Sequence, residues 1–304
     1  MTRDAELEET LEMVPELAGR VTGISDLEGG LTNRNVKVET DEDAYVVRMW
    51  SDDGALLSID RDNEHSSSLR AAAVGVGARV VAYLPDRNSL VIEFIEGRTL
   101  NAEDLRGGFP LDRVADSVRR LHTAEAFDAD FDMFEIQRGY LDLVTERGFR
   151  LPDGYREHAA DVARIREAFA VRPEAKVPCN NDLLAENFID TGDGLRLIDY
   201  EYSGNNEPSF ELGNIWSESN LSLDQLEELV TAYYGGPDPA RTARARLWGL
   251  MSKYGWTLWA SIQDGVSTID FDFWEWGMEK YERAEAEFAS DEFEELLRRA
   301  GGEA

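Results

Sequence analysis

The sequence predicts an α+β protein of two lobes, a small N-terminal lobe built on an antiparallel sheet and a larger, mainly helical C-terminal lobe. Residues 20–96 are dominated by short segments with the two-residue alternation of β-strands, whereas the chain after Gly97 carries long amphipathic helical patterns. With 42% hydrophobic and 10% aromatic residues, a chain of 304 residues can bury a sizeable core. We therefore expect an N-terminal lobe at residues 1–96 and a C-terminal lobe at residues 97–304.

The N-terminal lobe is predicted to contain five short strands and one inserted helix. Residues 41–43 form a polar turn between two alternating segments, which indicates a hairpin. Gly75 and Gly77 end the helix that follows. In chain order, the segments include strands at 36–40 and 44–50, a helix at about 60–74, and strands at 79–83 and 90–94.

The C-terminal lobe is predicted to consist of helices around one irregular segment at residues 177–207. Asp238 is a favourable N-cap residue and is followed by a proline, the residue preferred at the first helical position. The expected elements are helices at 111–123, 155–170, 238–263 and 273–299, with short strands at 187–190 and 195–199. The two lobes would join at about residues 94–98, with a cleft between them.

The charge of the chain excludes some classes of partner. Its 62 acidic side chains outnumber 31 basic ones, for a net charge of −31. Such a surface repels phosphate backbones, so we expect no nucleic-acid partner. Only four of the basic residues are lysines. An acid excess with scarce lysine predicts a halophile, because molar salt screens self-repulsion; the alternative is an ordinary acidic protein from a GC-rich genome.

Nothing in the sequence predicts a membrane segment or a disulfide. Uncharged apolar runs fall short of the ~18 residues that span a bilayer, and the N-terminus lacks an apolar signal core. Cys179 is the single cysteine, and the three histidines are widely separated in sequence, which disfavours a zinc site. We therefore expect no membrane insertion and a cytoplasmic location.

One segment carries residues suited to phosphoryl transfer. Asp182 and Asn187 lie five residues apart, and Asp199 ends a predicted strand further on. Phosphoryl transfer requires a carboxylate that accepts a hydroxyl proton and hard oxygen ligands for the Mg²⁺ that accompanies ATP. An Asx-rich turn explains the first spacing alone, but the second aspartate favours a kinase catalytic loop. Asp182 is the expected base, and Asn187 and Asp199 are the expected metal ligands.

Five further motifs stand in order along the chain. They are GGLTNRN at 29–35, YVVRM at 45–49, IDRDNE at 59–64, WTLWASIQ at 256–263 and IDFDF at 269–273. Over nearly its whole length, the chain resembles the choline/ethanolamine kinase family, within the wider group of aminoglycoside-phosphotransferase-like and protein-kinase-like enzymes. The resemblance implies a two-lobed protein-kinase-like fold and transfer of the γ-phosphoryl group of ATP to a small cationic alcohol, choline or ethanolamine.

The resemblance also implies which residues bind the nucleotide. They are Gly29, Gly30, Thr32, Asn33, Arg48 and Glu64. Glycines let a loop backbone approach phosphate oxygens, although neither a Walker A motif nor G-x-G-x-x-G is present. Arg48 would contact the phosphates, with Glu64 as its ion-pair partner. The alternative is a surface arginine and a solvated helix glutamate.

A cationic acceptor would need aromatic faces and carboxylates. A quaternary ammonium cannot donate a hydrogen bond, so its recognition relies on cation–π contacts and negative charge. Trp256 and Trp259 lie three residues apart, hence on one helix face. Together with Phe273, Glu201 and Glu218, they are the expected acceptor residues. The alternative is that these tryptophans only fill the core.

Two departures from the family pattern leave other functions open. Asn180 stands where the family has histidine, and Glu211 stands where it has the aspartate that braces the loop. We expect activity to survive, because both changes fall on supporting positions. The alternatives are a related kinase acting on thiamine, an amino sugar or an aminoglycoside, and a catalytically silent nucleotide- or choline-binding protein. The sequence does not determine whether the protein is a homodimer.

Overall fold

The computed structural model describes residues 3–27, 30–50 and 56–302 and confirms the predicted two-lobed α+β fold. The strands of the N-terminal sheet are all antiparallel and lie in the order β1-β2-β3-β5-β4. In this lobe the elements are α1 (Arg3–Met13), β1 (Val21–Leu27), β2 (Asn33–Thr40), β3 (Ala44–Trp50), α2 (Arg61–Ala73), β4 (Val80–Leu84) and β5 (Ser89–Glu93).

Alternating side chains explain why these strands form one sheet. Val36 pairs with Val47 and Val38 pairs with Tyr45 across β2 and β3, and all four side chains are buried. Residues of α1 pack on the same face of the sheet and close this small core. At the start of α2, the side chain of Asp60 accepts hydrogen bonds from two backbone N–H groups of the first turn. This cap fixes where α2, which carries Glu64, begins.

The C-terminal lobe is mainly helical, with short strands around the irregular segment. Its helices are α3 (Ala102–Arg106), α4 (Leu111–Leu121), α5 (Met133–Arg147), α6 (Ala159–Val171), α7 (Pro208–Ser219), α8 (Leu223–Tyr234), α9 (Pro239–Val266), α10 (Phe273–Phe288) and α11 (Phe293–Ala300). Its strands are β6 (Arg98–Thr99), β7 (Val177–Cys179), β8 (Phe188–Asp190), β9 (Leu195–Leu197) and β10 (Gly204–Asn206). Within the described ranges, none of the helices is both long and apolar enough to cross a membrane.

Helix α9 is the centre of the C-terminal lobe and is buried along most of its length. Helix α7 approaches it so closely that a Cβ atom at Gly213 would lie 2.1 Å from the carbonyl oxygen of Ala245. Gly249 on α9 likewise faces the carbonyl oxygen of Gly213, at 2.7 Å from a built Cβ. Only glycine permits this contact, which brings α7 directly against α9.

The structure corrects the last predicted helix. Residues 273–299 form two helices instead of one, because the chain turns between α10 and α11. Within that turn the backbone N–H of Glu292 donates to the hydroxyl oxygen of Ser290 at 3.2 Å. Phe288 and Phe293 on either side of the turn are buried, with ring centroids 5.9 Å apart. Residues five apart on one continuous helix point about 140° away from each other, and the break lets both rings face the same core.

Candidate active site

The catalytic segment is tied to the strand that precedes Asp199 through two asparagine side chains. The amide of Asn180 donates to the carbonyl oxygens of Ile198 at 3.2 Å and Asp199 at 2.7 Å. Asn181 adopts a left-handed φ of 67°, and its amide donates to the carbonyl oxygen of Tyr202 at 3.0 Å. Asp199 is also left-handed, with a φ of 62°. These bonds join two stretches of chain that the sequence places apart.

Glu211 braces the same segment from behind. Its fully buried carboxylate accepts the backbone N–H groups of Asn180 and Asn181, each at 2.8 Å. Asn214, one helical turn further along α7, accepts the backbone N–H of Leu183 at 2.8 Å. The glutamate that replaces the family aspartate therefore makes direct contacts with the loop, and Asn180 supplies donors to the neighbouring strand.

A buried cluster of titratable residues lies directly behind Glu211. His122 Nε2 lies 3.5 Å from Cys179 Sγ and 3.9 Å from Glu211 Oε1, while its Nδ1 lies 2.6 Å from the hydroxyl oxygen of Tyr233. Burial, and secondarily the charge of Glu211, raise the pKa of the Cys179 thiol. The wide separation of the histidines in sequence gave no sign of this cluster, in which His122 lies beside Cys179.

Asp182, Asn187 and Asp199 converge at the junction of the lobes. Asn187 donates its side-chain N–H to the carbonyl oxygen of Asp182 at 2.7 Å, which leaves its side-chain oxygen as a ligand. The carboxylate of Asp199 is 28% exposed, so a ligand can reach it. Burial, followed by the charges of Glu218, Asp199 and Glu201, raises the pKa of Asp182 well above its usual range. Hard oxygen donors in a surplus of negative charge fit Mg²⁺.

Arg48 and Glu64 meet on the N-terminal side of this junction. Arg48 Nη2 lies 3.2 Å from Glu64 Oε1 and 2.7 Å from Asp199 Oδ1, and both members of the Arg48–Glu64 pair are buried. Burial lowers the pKa of Arg48, but the charges of Asp199, Glu64 and Glu201 outweigh it and raise the pKa overall. The alternative interpretation of Arg48 as a surface arginine and Glu64 as a solvated helix glutamate is therefore wrong.

The loop between β1 and β2 is fastened to the C-terminal lobe by Glu201. The hydroxyl of Thr32 donates to Glu201 Oε1 at 3.0 Å, and the amide of Asn33 donates to Oε2 at 2.9 Å. A Cβ atom at Gly30 would lie 2.8 Å from the carbonyl oxygen of Asn33, so the turn requires glycine. Gly29, which the sequence analysis also assigned to nucleotide binding, lies outside the described residues.

Glu201 thus lies with the nucleotide loop, whereas the sequence analysis grouped it with the acceptor residues. Arg61, which sequence reasoning missed, donates to Glu201 Oε2 at 3.2 Å and to Glu64 Oε2 at 2.6 Å. Burial and the charges of Asp199 and Glu64 raise the pKa of Glu201 to about 7, although the charges of Arg48 and Arg61 act in the opposite direction. Arg61 could have been found, because it stands three residues before Glu64 in the IDRDNE motif.

The tryptophans of α9 belong to an aromatic group beside the catalytic segment. Trp259 donates its indole N–H to the hydroxyl oxygen of Tyr202 at 2.8 Å, and the ring centroids of Tyr202 and Trp256 are 4.9 Å apart. The ring centroids of Phe273 and Trp276 on α10 lie 5.8 Å and 5.5 Å from the ring centroid of Trp259. Trp256, Trp259 and Phe273 are buried and are also part of the lobe's main core. They fill the core as well as lining the place where an acceptor is expected, so the two interpretations do not exclude each other.

Glu218 lies beside this aromatic group but is already paired. Lys280 Nζ lies 2.5 Å from Glu218 Oε2 and 4.1 Å from the centroid of the Trp276 ring. Lys280 was not predicted as a site residue, although it stands four residues after Trp276. Their spacing of four residues on one helix was the signal available, since such residues share a helix face.

This arrangement defines a class of enzyme. A small antiparallel sheet carries a buried arginine–glutamate pair, and the facing helical lobe carries an aspartate–asparagine–aspartate set at the cleft. It is a two-lobed phosphotransferase that uses an alcohol group as acceptor.

Comparison with known proteins identifies the family. A family model described as choline/ethanolamine kinase matches residues 24–230, and the chain belongs to this family. It is 27% identical over 275 residues to ethanolamine kinase 2 of Rattus norvegicus, covering 80% of this chain and 70% of that protein. A solved choline/ethanolamine kinase family protein from Mesorhizobium loti superposes with a TM-score of 0.85 at 31% identity, covering 98% of each chain. An ADP-bound aminoglycoside phosphotransferase, at 16% identity and a TM-score of 0.63, covers 98% of each chain and shares the fold.

Proposed function

We propose that the protein transfers the γ-phosphoryl group of ATP to the hydroxyl group of choline or ethanolamine. The observation that supports this most directly is the convergence of Asp182, Asn187 and Asp199 at the lobe junction, opposite the buried Arg48–Glu64 pair. The Asn187 amide is bonded to the Asp182 backbone, and Arg48 contacts Asp199, so the three positions are mutually oriented. Family membership supports the choice of acceptor.

In the proposed reaction, Asp182 takes the proton of the acceptor hydroxyl while that oxygen forms a bond to the γ-phosphorus. The bond from the γ-phosphorus to the bridging oxygen breaks, and ADP leaves with the electron pair. Asn187 and Asp199 would hold Mg²⁺, which neutralises phosphate charge when bound. Arg48 would orient the phosphates, and Glu64 keeps its guanidinium in place across a 3.2 Å contact.

The acceptor side of the proposal uses the aromatic group and Glu218. The rings of Tyr202, Trp256 and Trp259 lie together beside the catalytic segment, and the faces of aromatic rings attract ammonium groups. Glu218 adds a buried negative charge close enough to raise the pKa of Asp182. We further propose that the enzyme acts in the cytoplasm without a nucleic-acid partner, in keeping with its net charge of −31.

The test is Mg-ATP consumption with choline and with ethanolamine, assayed in molar KCl as well as dilute buffer. We expect turnover in the wild type and none in Asp182→Ala. Asp193→Ala is the matched control, because Asp193 is an exposed aspartate in the turn between β8 and β9. ATP binding without consumption, with either alcohol present, would instead support the silent nucleotide-binding alternative.

A further inference from the structure

The acceptor site already contains a cation of its own. Lys280 belongs to the chain's small set of four lysines, and its ammonium group is buried between Glu218 Oε2, at 2.5 Å, and the ring of Trp276, at 4.1 Å. A carboxylate and an indole face are the two partners that a free alkylammonium ion would also take. Lys280 therefore fills one complete cation position before any substrate arrives.

The second oxygen of Glu218 has no such partner. Oε1 is buried, and among the described residues it has no hydrogen-bond partner, while the Glu218 side chain is 3% exposed. A buried acceptor without a donor is costly, so this atom favours a ligand that brings an N–H or O–H group. Glu218 lies near the proposed base, because after burial its charge is the largest cause of the raised pKa of Asp182.

We infer that the acceptor site selects an ammonium group that carries N–H, as in ethanolamine, over the quaternary ammonium of choline. Lys280 holds the Trp276 face and one oxygen of Glu218, so the incoming cation is left with Oε1, which requires a hydrogen-bond donor. The only donor of choline is its reacting hydroxyl, which the proposed reaction places at Asp182. Its quaternary ammonium end would therefore leave Oε1 desolvated and unpaired. This inference rests on the proposed kinase function and names its acceptor class.

A methylation series tests the inference. Ethanolamine, N-methylethanolamine, N,N-dimethylethanolamine and choline are all cations at neutral pH, and choline alone lacks an N–H group. We expect kcat/KM to stay within about threefold over the first three and to fall ~10- to 100-fold at choline, the cost of an unsatisfied buried acceptor. An even decline with each methyl group indicates size selection and overturns the inference, as does a kcat/KM for choline equal to that for ethanolamine.

Lys280→Met tests the role of the internal cation. Without Lys280, choline gains the Trp276 face and Oε2, so the choline-to-ethanolamine ratio of kcat/KM should rise about tenfold. The ratio is unaffected by any loss of folded enzyme, because both alcohols are assayed on the same preparation. Lys37→Met is the matched control: this lysine of the N-terminal lobe also lies over an aromatic ring, that of Phe94 at 4.4 Å, with Glu39 Oε1 at 2.9 Å, and its loss should leave the ratio unchanged. An unchanged ratio in Lys280→Met overturns the inference.

Failure of the proposed function can be told apart from failure of this inference. If none of the four alcohols is phosphorylated, the kinase proposal is wrong, and calorimetric dissociation constants for ethanolamine and choline still measure selectivity. Tighter binding of ethanolamine by ~10-fold or more supports the inference even then. Equal affinities, tighter choline binding or no binding of either alcohol contradicts it.

Discussion

Glu201 fastens the nucleotide loop to the C-terminal lobe, so we expect its charge to set the affinity for ATP. Its buried carboxylate accepts hydrogen bonds from Thr32 at 3.0 Å, Asn33 at 2.9 Å and Arg61 at 3.2 Å. These donors come from the loop, from the start of β2 and from α2. One side chain therefore holds three parts of the N-terminal lobe, and removing its charge should leave the loop without a fixed position.

The magnitude follows from the number of bonds lost. A hydrogen bond to a charged group contributes ~1.5–3 kcal/mol. Thr32→Val removes one such bond, and the lower figure corresponds to about a tenfold weaker affinity for ATP. Glu201→Gln keeps an oxygen but presents an amide nitrogen to donors and loses its attraction for Arg61. Two bonds at the lower figure correspond to about a hundredfold weaker affinity.

Calorimetric titration with Mg-ATP measures these effects without turnover. The double variant Thr32→Val/Glu201→Gln should be weaker than Glu201→Gln by clearly less than tenfold, because the two changes remove the same bond. Glu146→Gln is the control, since this glutamate is exposed on α5. An ATP affinity in Glu201→Gln within twofold of the wild type would refute the reasoning. Fully multiplicative effects in the double variant would show that the loop and Glu201 are not coupled.

The same carboxylate makes ATP binding depend on pH. Burial and neighbouring carboxylates raise the pKa of Glu201 to about 7, so the charge that attracts Arg61 is lost as pH falls through that value. We expect ATP affinity to decline from pH 8 to pH 6 in the wild type and to stay flat in Glu201→Gln. The contribution of Glu201 to the free energy of unfolding should instead decrease as pH rises. A folded pKa above the ordinary value favours the folded state at low pH, and that contribution is lost as pH rises through 7.

Three further outcomes are expected. Asp182→Asn should lower kcat about 10²- to 10⁴-fold in a coupled ADP-release assay while ATP affinity is retained, because the residue accepts the hydroxyl proton. Asn180→His and Glu211→Asp, made singly and together, should affect kcat non-additively, because Glu211 accepts the N–H of Asn180; strictly additive effects would exclude coupling. The melting temperature should rise from dilute buffer to molar KCl, and identical circular dichroism and melting in both would show that the acid excess is no salt adaptation.

Sequence patterns predicted the helices and strands that bury one face and expose the other, because hydrophobic and polar residues then alternate with a regular period. The hairpin of β2 and β3 alternates because one face is buried, and α2 is marked by its Asp60 cap. Helix α7 was missed, because almost every residue from Ser209 to Ser219 is buried and no polar face gives a helical period. The break after Phe288 was missed for another reason: the turn contains neither glycine nor proline.

The candidate site shows the same limit at the scale of single side chains. Motif order grouped Asp182, Asn187 and Asp199, and the structure places them at the same end of one short strand pair. Glu201 and Tyr202 are adjacent in sequence, yet Glu201 bonds to the N-terminal lobe while Tyr202 bonds to Trp259 on α9. Glu201 and Tyr202 lie in a turn just after the left-handed backbone of Asp199, with its φ of 62°, and no sequence pattern reports which way each side chain points there.

The surplus of negative charge around Asp182 links its activity to the arrival of both substrates. Burial and the charges of Glu218, Asp199 and Glu201 favour the protonated acid, and Lys280 opposes them only in part. Mg²⁺ at Asp199 and an ammonium group at Glu218 would each favour the ionised base. With saturating Mg-ATP, the acidic limb of kcat for ethanolamine should therefore lie at lower pH than the limb of kcat/KM, which reports the enzyme before the amine binds. If the acidic limbs of kcat and kcat/KM fall at the same pH, the charge of the bound acceptor does not lower the pKa of Asp182.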